Sequence, residues 1–336
     1  MSTFAAATGM GSWPGTSPRR AAEIVIGEVH RLPYLVELPD RGVGADLIGR
    51  AGALLVDIAI DTVPRGYRIA ARPGAVTRRA ASLLDEDIDA LEEAWEKAGG
   101  TRPGCAVKVQ APGPVTLAAS LELSNGHRAI TDPGAVRDLA ASLAEGVAVH
   151  RAEVARRLAA PVVVQFDEPL LPAALAGRLG GVTALTPVHP VDETLVIGLL
   201  DECVNRAGVE ALLHCCAANI PWDALVRSGI GAVAVDAATL DDDGLDGLAA
   251  FVDAGRAVVL GLIPAAAPHQ RPSFEEIASA AAALTDRIGF PRGVLGERVG
   301  ISPACGLAGA GEAWARTATA LAERAAAAMA EDPAAV

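Results

Sequence analysis

The sequence predicts an α/β protein built as a (β/α)8 TIM barrel, and three observations carry that expectation. Short apolar runs alternate with long amphipathic stretches almost from end to end. The runs are solidly apolar rather than alternating, as parallel strands covered on both faces require. At 336 residues, 51% of them hydrophobic and only 3% aromatic, the chain is long enough for one such barrel. Its Ala/Val-rich core suits helices packed closely on strands.

Phe4–Met10 is the first expected strand, and the "TSPRR" that follows supplies Ser17 as a helix N-cap with Pro18 at the first helical position. A long connection comes next that reads as mostly helical, over Ala45–Ile60 and Ala75–Gly99, so the first βα connection is an elaborated one. Further strands are expected at Cys105–Gln110, Val162–Phe166, Val182–Thr186, Glu210–His214, Ala232–Val235, Ala257–Ile263 and Arg298–Ile301. Between them, Asp132–Leu158, Asp192–Arg206, Ser273–Ile288 and Gly311–Met329 carry helical periodicity. No tandem repeat or linker divides the chain, so residues 1–336 are expected to form a single barrel domain. A doubly wound open sheet is the competing architecture. "TGMGSWPG" does not support it, because Pro14 stands where a dinucleotide fingerprint needs its third glycine.

The formal net charge of −13 argues against nucleic acid or an anionic membrane surface as partner, since both attract positive proteins. Five scattered cysteines form no secretory framework. The N-terminus lacks the basic region of a signal peptide, and no run approaches the ~18 apolar residues of a membrane span. A reducing cytoplasm is the expected setting, where clustered thiols read as metal ligands or catalytic groups.

In such a barrel the chemistry sits where strands end. Gly11-Ser12 follow the first run, and Asp167-Glu168 stand in "VVVQFDEPLL". His214-Cys215-Cys216 lie in "LLHCCAAN", Asp236 ends "AVAVD", and Cys305 follows the last strand in "SPACGL". His214 and Cys216 are two apart on extended chain, so their side chains share a face while Cys215 points away. Imidazole and thiolate are zinc donors, with Cys305 as a third ligand and Asp236 as a candidate fourth. The alternative for each is plain: a satisfied interior histidine and small buried thiols. Asp167 can hold a substrate ammonium or cap the next helix. Ser12 and neighbouring amides can bind a carboxylate or simply make a turn.

These motifs, "ATGMGSWPGT", "VQAPGPVT", "VVVQFDEPLL", "LLHCCAAN", "AVAVDAAT" and "SPACGL", occur in the order seen in the catalytic C-terminal barrel of cobalamin-independent methionine synthases, and nearly the whole chain resembles it. The resemblance implies zinc held by His214, Cys216, Cys305 and, in place of the family's Glu, Asp236. It implies homocysteine or a related small thiol as methyl acceptor, with Gly11 and Ser12 on its carboxylate and Asp167 and Glu37 (in "VELPDR") on its ammonium. The family's second, N-terminal barrel has no counterpart in 336 residues. Ser120 stands where the family stacks a tryptophan on folate, and Ala266 where it places a proton-delivering histidine. The expectation is therefore a thiol methyltransferase whose donor is other than methyltetrahydrofolate, such as a corrinoid carried by another protein. Two alternatives remain: a non-catalytic zinc or amino-acid-binding barrel, and a uroporphyrinogen decarboxylase-like enzyme, which would leave the His-x-Cys pair idle.

Overall fold

The computed structural model describes residues 2–182 and 186–336. Six parallel strands form one curled sheet: β3 (Val107–Pro112), β5 (Val162–Asp167), β6 (Ala211–Cys215), β7 (Ala232–Asp236), β8 (Ala257–Ile263) and β9 (Val299–Pro303), hydrogen-bonded in that order. Two extended segments too short to count as strands occupy the gap between β9 and β3. Thr8 N donates to the Ile301 carbonyl and Ile301 N to that of Ala6, at 3.1 and 3.2 Å. On the other side Lys108 N donates to Pro33 O and Leu35 N to Lys108 O. The two segments are tied together where Glu37 N donates to Gly11 O and Trp13 N to Glu37 O. All these bridges are parallel, so eight extended segments form the barrel wall, as expected.

One of the eight differs from the sequence expectation. The second wall position belongs to the segment around Tyr34, not to Val182–Thr186. Residues 183–185 of that run lie outside the described residues, and Val182 and Thr186 stand in bends. The elaboration therefore follows the second wall segment rather than the first. It holds α2 (Leu47–Leu54), an antiparallel hairpin of β1 (Ala59–Val63) and β2 (Gly66–Ala70), and α3 (Ala75–Lys97). The helix expected over Ala45–Ile60 stops at Leu54, and Ile60 lies in the hairpin.

The other helices follow their caps. Ser17 caps α1 (Pro18–Glu28), Asp132 caps α5 (Pro133–Leu158), and Asp192 caps α7 (Glu193–Ala207). Asp241 caps α9 (Asp242–Asp253), and Ser273 with Glu276 forms a capping box on α10 (Phe274–Arg287). Shorter helices are α4 (Pro114–Ser120), α6 (Leu171–Leu175), α8 (Trp222–Arg227) and α11 (Gly293–Arg298), while α12 (Glu312–Glu331) closes the chain and the two-residue β4 (Leu121–Glu122) pairs with β2. Among the described residues no helix is long and apolar enough to cross a membrane.

Strand alternation divides the core. Phe4, Ala6, Leu32, Ala106, Val163, Leu212, Ala232 and Ala257 belong to one buried cluster, while Val107, Val164, Leu213, Val233 and Val258 join the larger cluster shared with the helices. The first set fills the barrel and the second faces the helical shell. Glu168, fully buried after β5, accepts from the backbone of Val115 and Thr116 and from the Thr116 hydroxyl at 2.6–2.9 Å. It pins the start of α4 to β5, and a Cβ on Gly113 would lie 2.2 Å from its carboxylate.

Candidate metal centre

Parallel register sets the site. Asp167 of β5 pairs with His214 of β6, so both side chains enter the barrel at one level. His214 Nδ1 and Asp167 Oδ1 are 2.6 Å apart. A carboxylate only accepts, so Nδ1 carries a hydrogen, and Nε2 offers its lone pair once the ring is neutral. That Nε2 is buried without a hydrogen-bond partner. Beside it, Cys216 follows β6 and Cys305 follows β9, with their sulfurs 3.1 Å apart. The ligand atoms of His214, Cys216 and Cys305 all lie within 4.8 Å of one another, the one such metal-capable group among the described residues. An orphaned imidazole nitrogen aimed at two thiols fits a tetrahedral metal with one position left open. The carboxylate behind the histidine is the usual outer partner of such a ligand.

The remaining sequence candidates divide. A cavity of about 250 Å³ opens on the cluster, lined by Met10, Ser12, Glu37, Leu47, Asp167, His214, Cys216 and Cys305 among others. Ser12 and Glu37 are there because the first two wall segments bridge at that point. Gly11 sits behind Ser12 at φ +110°, where a Cβ would fall 2.8 Å from Gln110 Nε2, so glycine is required. Asp236 is not brought in. Its carboxylate accepts from Ala238 N at 3.0 Å, capping the short turn after β7, and it lies outside the group of ligand atoms gathered within 4.8 Å. Cys215 is fully buried in the outer core, as alternation requires. Ser120 is half-buried at the end of α4, in a separate hollow of about 130 Å³, and Ala266 is exposed.

Two buried cations near the expected Glu37, Arg50 and Lys108, escaped the sequence reading. Glu37 is 4% exposed and its Oε1 has no hydrogen-bond partner. Burial pushes its carboxyl up to about 7, against the pull of Arg50, whose Nε lies 3.8 Å away. Arg50 itself is clamped by Asp87, which also takes Arg41 at 2.6 Å. An arginine inside the apolar stretch "LIGRAGALL" was the available signal. Lys108 is fully buried inside the barrel, and burial lowers its amine to about 8 while Asp167 and Glu37 oppose.

Burial alone would lower the His214 imidazole, but Asp167 and then Cys305 outweigh it and lift the group to about 9. In the sulfur pair, the hydrogen bond between the two thiols holds Cys305 down toward thiolate and drives Cys216 up. The metal-free site thus holds a proton on His214 Nε2 and another on Cys216 at neutral pH. Zn²⁺ has to displace both, so its apparent affinity is expected to rise with pH. Chelator competition at pH 6, 7 and 8 should give a log–log slope of about 2 protons. A flat profile would contradict this protonation state.

With the geometry in place, comparison with known proteins gives three findings. The family described as "Cobalamin-independent synthase, Catalytic domain" matches residues 4–328. Among solved structures, the chain is similar to a B12-independent methionine synthase from Shewanella sp. W3-18-1 in complex with selenomethionine, at 13% identity and a TM-score of 0.61, over 99% of this chain and 100% of that one. It is also similar to a methyltransferase from Methanosarcina mazei, at 15% identity and a TM-score of 0.54, over 97% of this chain and 92% of that one. At these identities the two structures speak for the fold alone. A search of curated proteins finds no match.

Proposed function

The chain belongs to the family of cobalamin-independent synthase catalytic domains, methyltransferases of the methionine synthase type, and on that premise we propose that it is a zinc-dependent enzyme that methylates homocysteine or a closely related thiol. The observation that carries the zinc is the orphaned His214 Nε2 gathered with Cys216 and Cys305. These three residues would hold the ion. Bound there, zinc supplies the Lewis acidity that lets a neighbouring thiol ionise at neutral pH.

The chain's own groups do the rest. Asp167 Oδ1 keeps His214 in the right tautomer, and Asp167 and Glu37 meet the substrate ammonium as catalytic-site carboxylates. The free Glu37 Oε1 gains its missing partner when that ammonium arrives. Ser12 and the Gly11 backbone take the substrate carboxylate. Met10, Leu47 and Pro169 in the cavity lining suit the methylenes between those groups and the sulfur. The thiolate then attacks the methyl carbon in line, and as the S–C bond forms the donor's bond to methyl breaks and its electron pair stays with the donor.

Ser120 and Ala266 remove a folate-stacking ring and a proton donor from the places where the family resemblance puts them, so the donor is a corrinoid or another methyl carrier rather than methyltetrahydrofolate. Loss of a general acid alone costs about 10²-fold or more. With zinc loaded, the protein is expected to form methionine from homocysteine and methylcobalamin, and at least about 10²-fold more slowly from methyltetrahydrofolate. Equal rates would sink the donor assignment. Zinc and homocysteine binding without turnover from either donor would favour a non-catalytic binding barrel.

A further inference from the structure

Below the metal-binding cluster, the barrel interior holds a chain of polar contacts that the proposed chemistry does not use. Lys108 Nζ donates to Gln165 Oε1 at 2.6 Å, and Gln165 Nε2 donates to Asp167 Oδ1 at 2.8 Å and to the Met10 carbonyl at 3.0 Å. Asp167 Oδ1 then accepts from His214. Lys108 and Gln165 are fully buried. The amide orientation is fixed by chemistry: turned over, Gln165 would set its oxygen against a carboxylate and a carbonyl and its NH₂ against an ammonium. The chain therefore has one direction, from a cation at the barrel's centre to the imidazole at its rim.

A buried ammonium is costly unless compensated, and among the described residues Lys108 makes no ion pair within 4.0 Å. Its single direct side-chain acceptor is a neutral amide, with the Tyr34 ring centroid 5.2 Å away. The cluster that fills the rest of the barrel is apolar, with Phe4, Leu32, Ala106 and Val163 in it, and a methionine or leucine would fill the space at less expense. What the lysine and glutamine add is a constraint on one carboxylate oxygen.

We infer that Gln165 and Lys108 are positioning residues for the metal: Lys108 locks the Gln165 amide, Gln165 locks Asp167, and Asp167 turns His214 Nε2 toward Cys216 and Cys305. This rests on the proposed zinc site and adds two residues to it from the middle of the barrel. Gln165→Glu separates positioning from packing. It keeps the shape and still accepts from Lys108, but it cannot donate to Asp167 and it repels that carboxylate. Lys108→Met removes the lock one step further back while filling the same space.

The readout is zinc affinity by competition with a chromophoric chelator, beside thermal unfolding of the metal-free protein. A weakening of about 10–100-fold is expected for Gln165→Glu and a smaller one for Lys108→Met. The ligand-field absorption of the Co²⁺-loaded Gln165→Glu protein should also shift as the imidazole turns. Cys203→Ala, a buried change outside the chain, is the control: it should lower the unfolding temperature and leave zinc affinity alone. Should Gln165→Glu not fold, Lys108→Met decides. If the parent binds zinc and the folded variants bind it within twofold as tightly, the positioning role is overturned while the zinc site stands. If the parent binds no zinc, both readings fall together.

Discussion

Cys305→Ser and His214→Ala are each expected to take bound zinc from about one per chain to a small fraction of that, and methyl transfer with it, while Cys215→Ala keeps both. A zinc site of this kind is worth roughly 10–16 kcal/mol. Spread over three protein donors, one lost ligand costs about 3–5 kcal/mol, or about 10²–10⁴-fold in Kd. The effect on rate follows from acidity: a free thiol with a pKa near 8.5 is only about 3% ionised at pH 7, so an enzyme without metal leaves its acceptor mostly protonated. The contrast with Cys215 sharpens the test, because Cys215 sits between the candidate ligands His214 and Cys216 in sequence yet points into the outer core. Metal analysis after gel filtration, paired with a methionine-formation assay, reads both outcomes. Retention of about one zinc by Cys305→Ser would refute the assignment.

The His214–Cys216 pair was legible because alternation is a strict rule. On extended chain it fixes which of His214, Cys215 and Cys216 face together, whatever the rest of the fold does. Asp236 shows where that rule stops. Alternation puts it at the same rim, but only coordinates show Asp236 Oδ1 accepting from Ala238 N, outside the His214–Cys216–Cys305 group. The bond between Asp167 and His214 lies across 47 residues and depends on the register of two parallel strands, which no local pattern encodes. The same holds for the Lys108–Gln165 contact. In the barrel wall, Val182–Thr186 and the segment around Tyr34 are both short apolar stretches. The latter is flanked by Pro33 and Pro39 and bonds to its neighbours only through isolated bridges, so its sequence carries little strand signal.

Asp87→Asn should destabilise the protein by about 3–5 kcal/mol, the cost of breaking a buried ion pair by removing one partner. Asp87 is fully buried on α3 and accepts from Arg41 and from Arg50 on α2, so its loss leaves two guanidinium groups under-compensated at the α2–α3 interface. Urea unfolding of the metal-free protein measures this directly, and a change below about 1 kcal/mol would show that the network is not carrying that load. The consequence reaches the site. Arg50 Nε already lies 3.8 Å from Glu37 Oε1, and the Asp87 clamp holds the guanidinium away from closer contact. Released, Arg50 can pair with Glu37 and occupy the acceptor proposed for the substrate ammonium. A charged hydrogen bond lost from binding is worth about 1.5–3 kcal/mol, so KM for the thiol amino acid should rise about 10–100-fold. Zinc affinity should change little, because among the described residues no hydrogen bond or ion pair joins His214, Cys216 or Cys305 to Arg41, Arg50 or Asp87. If instead zinc affinity fell along with substrate affinity, the insertion between the second and third wall segments would be supporting the whole rim rather than Glu37 alone.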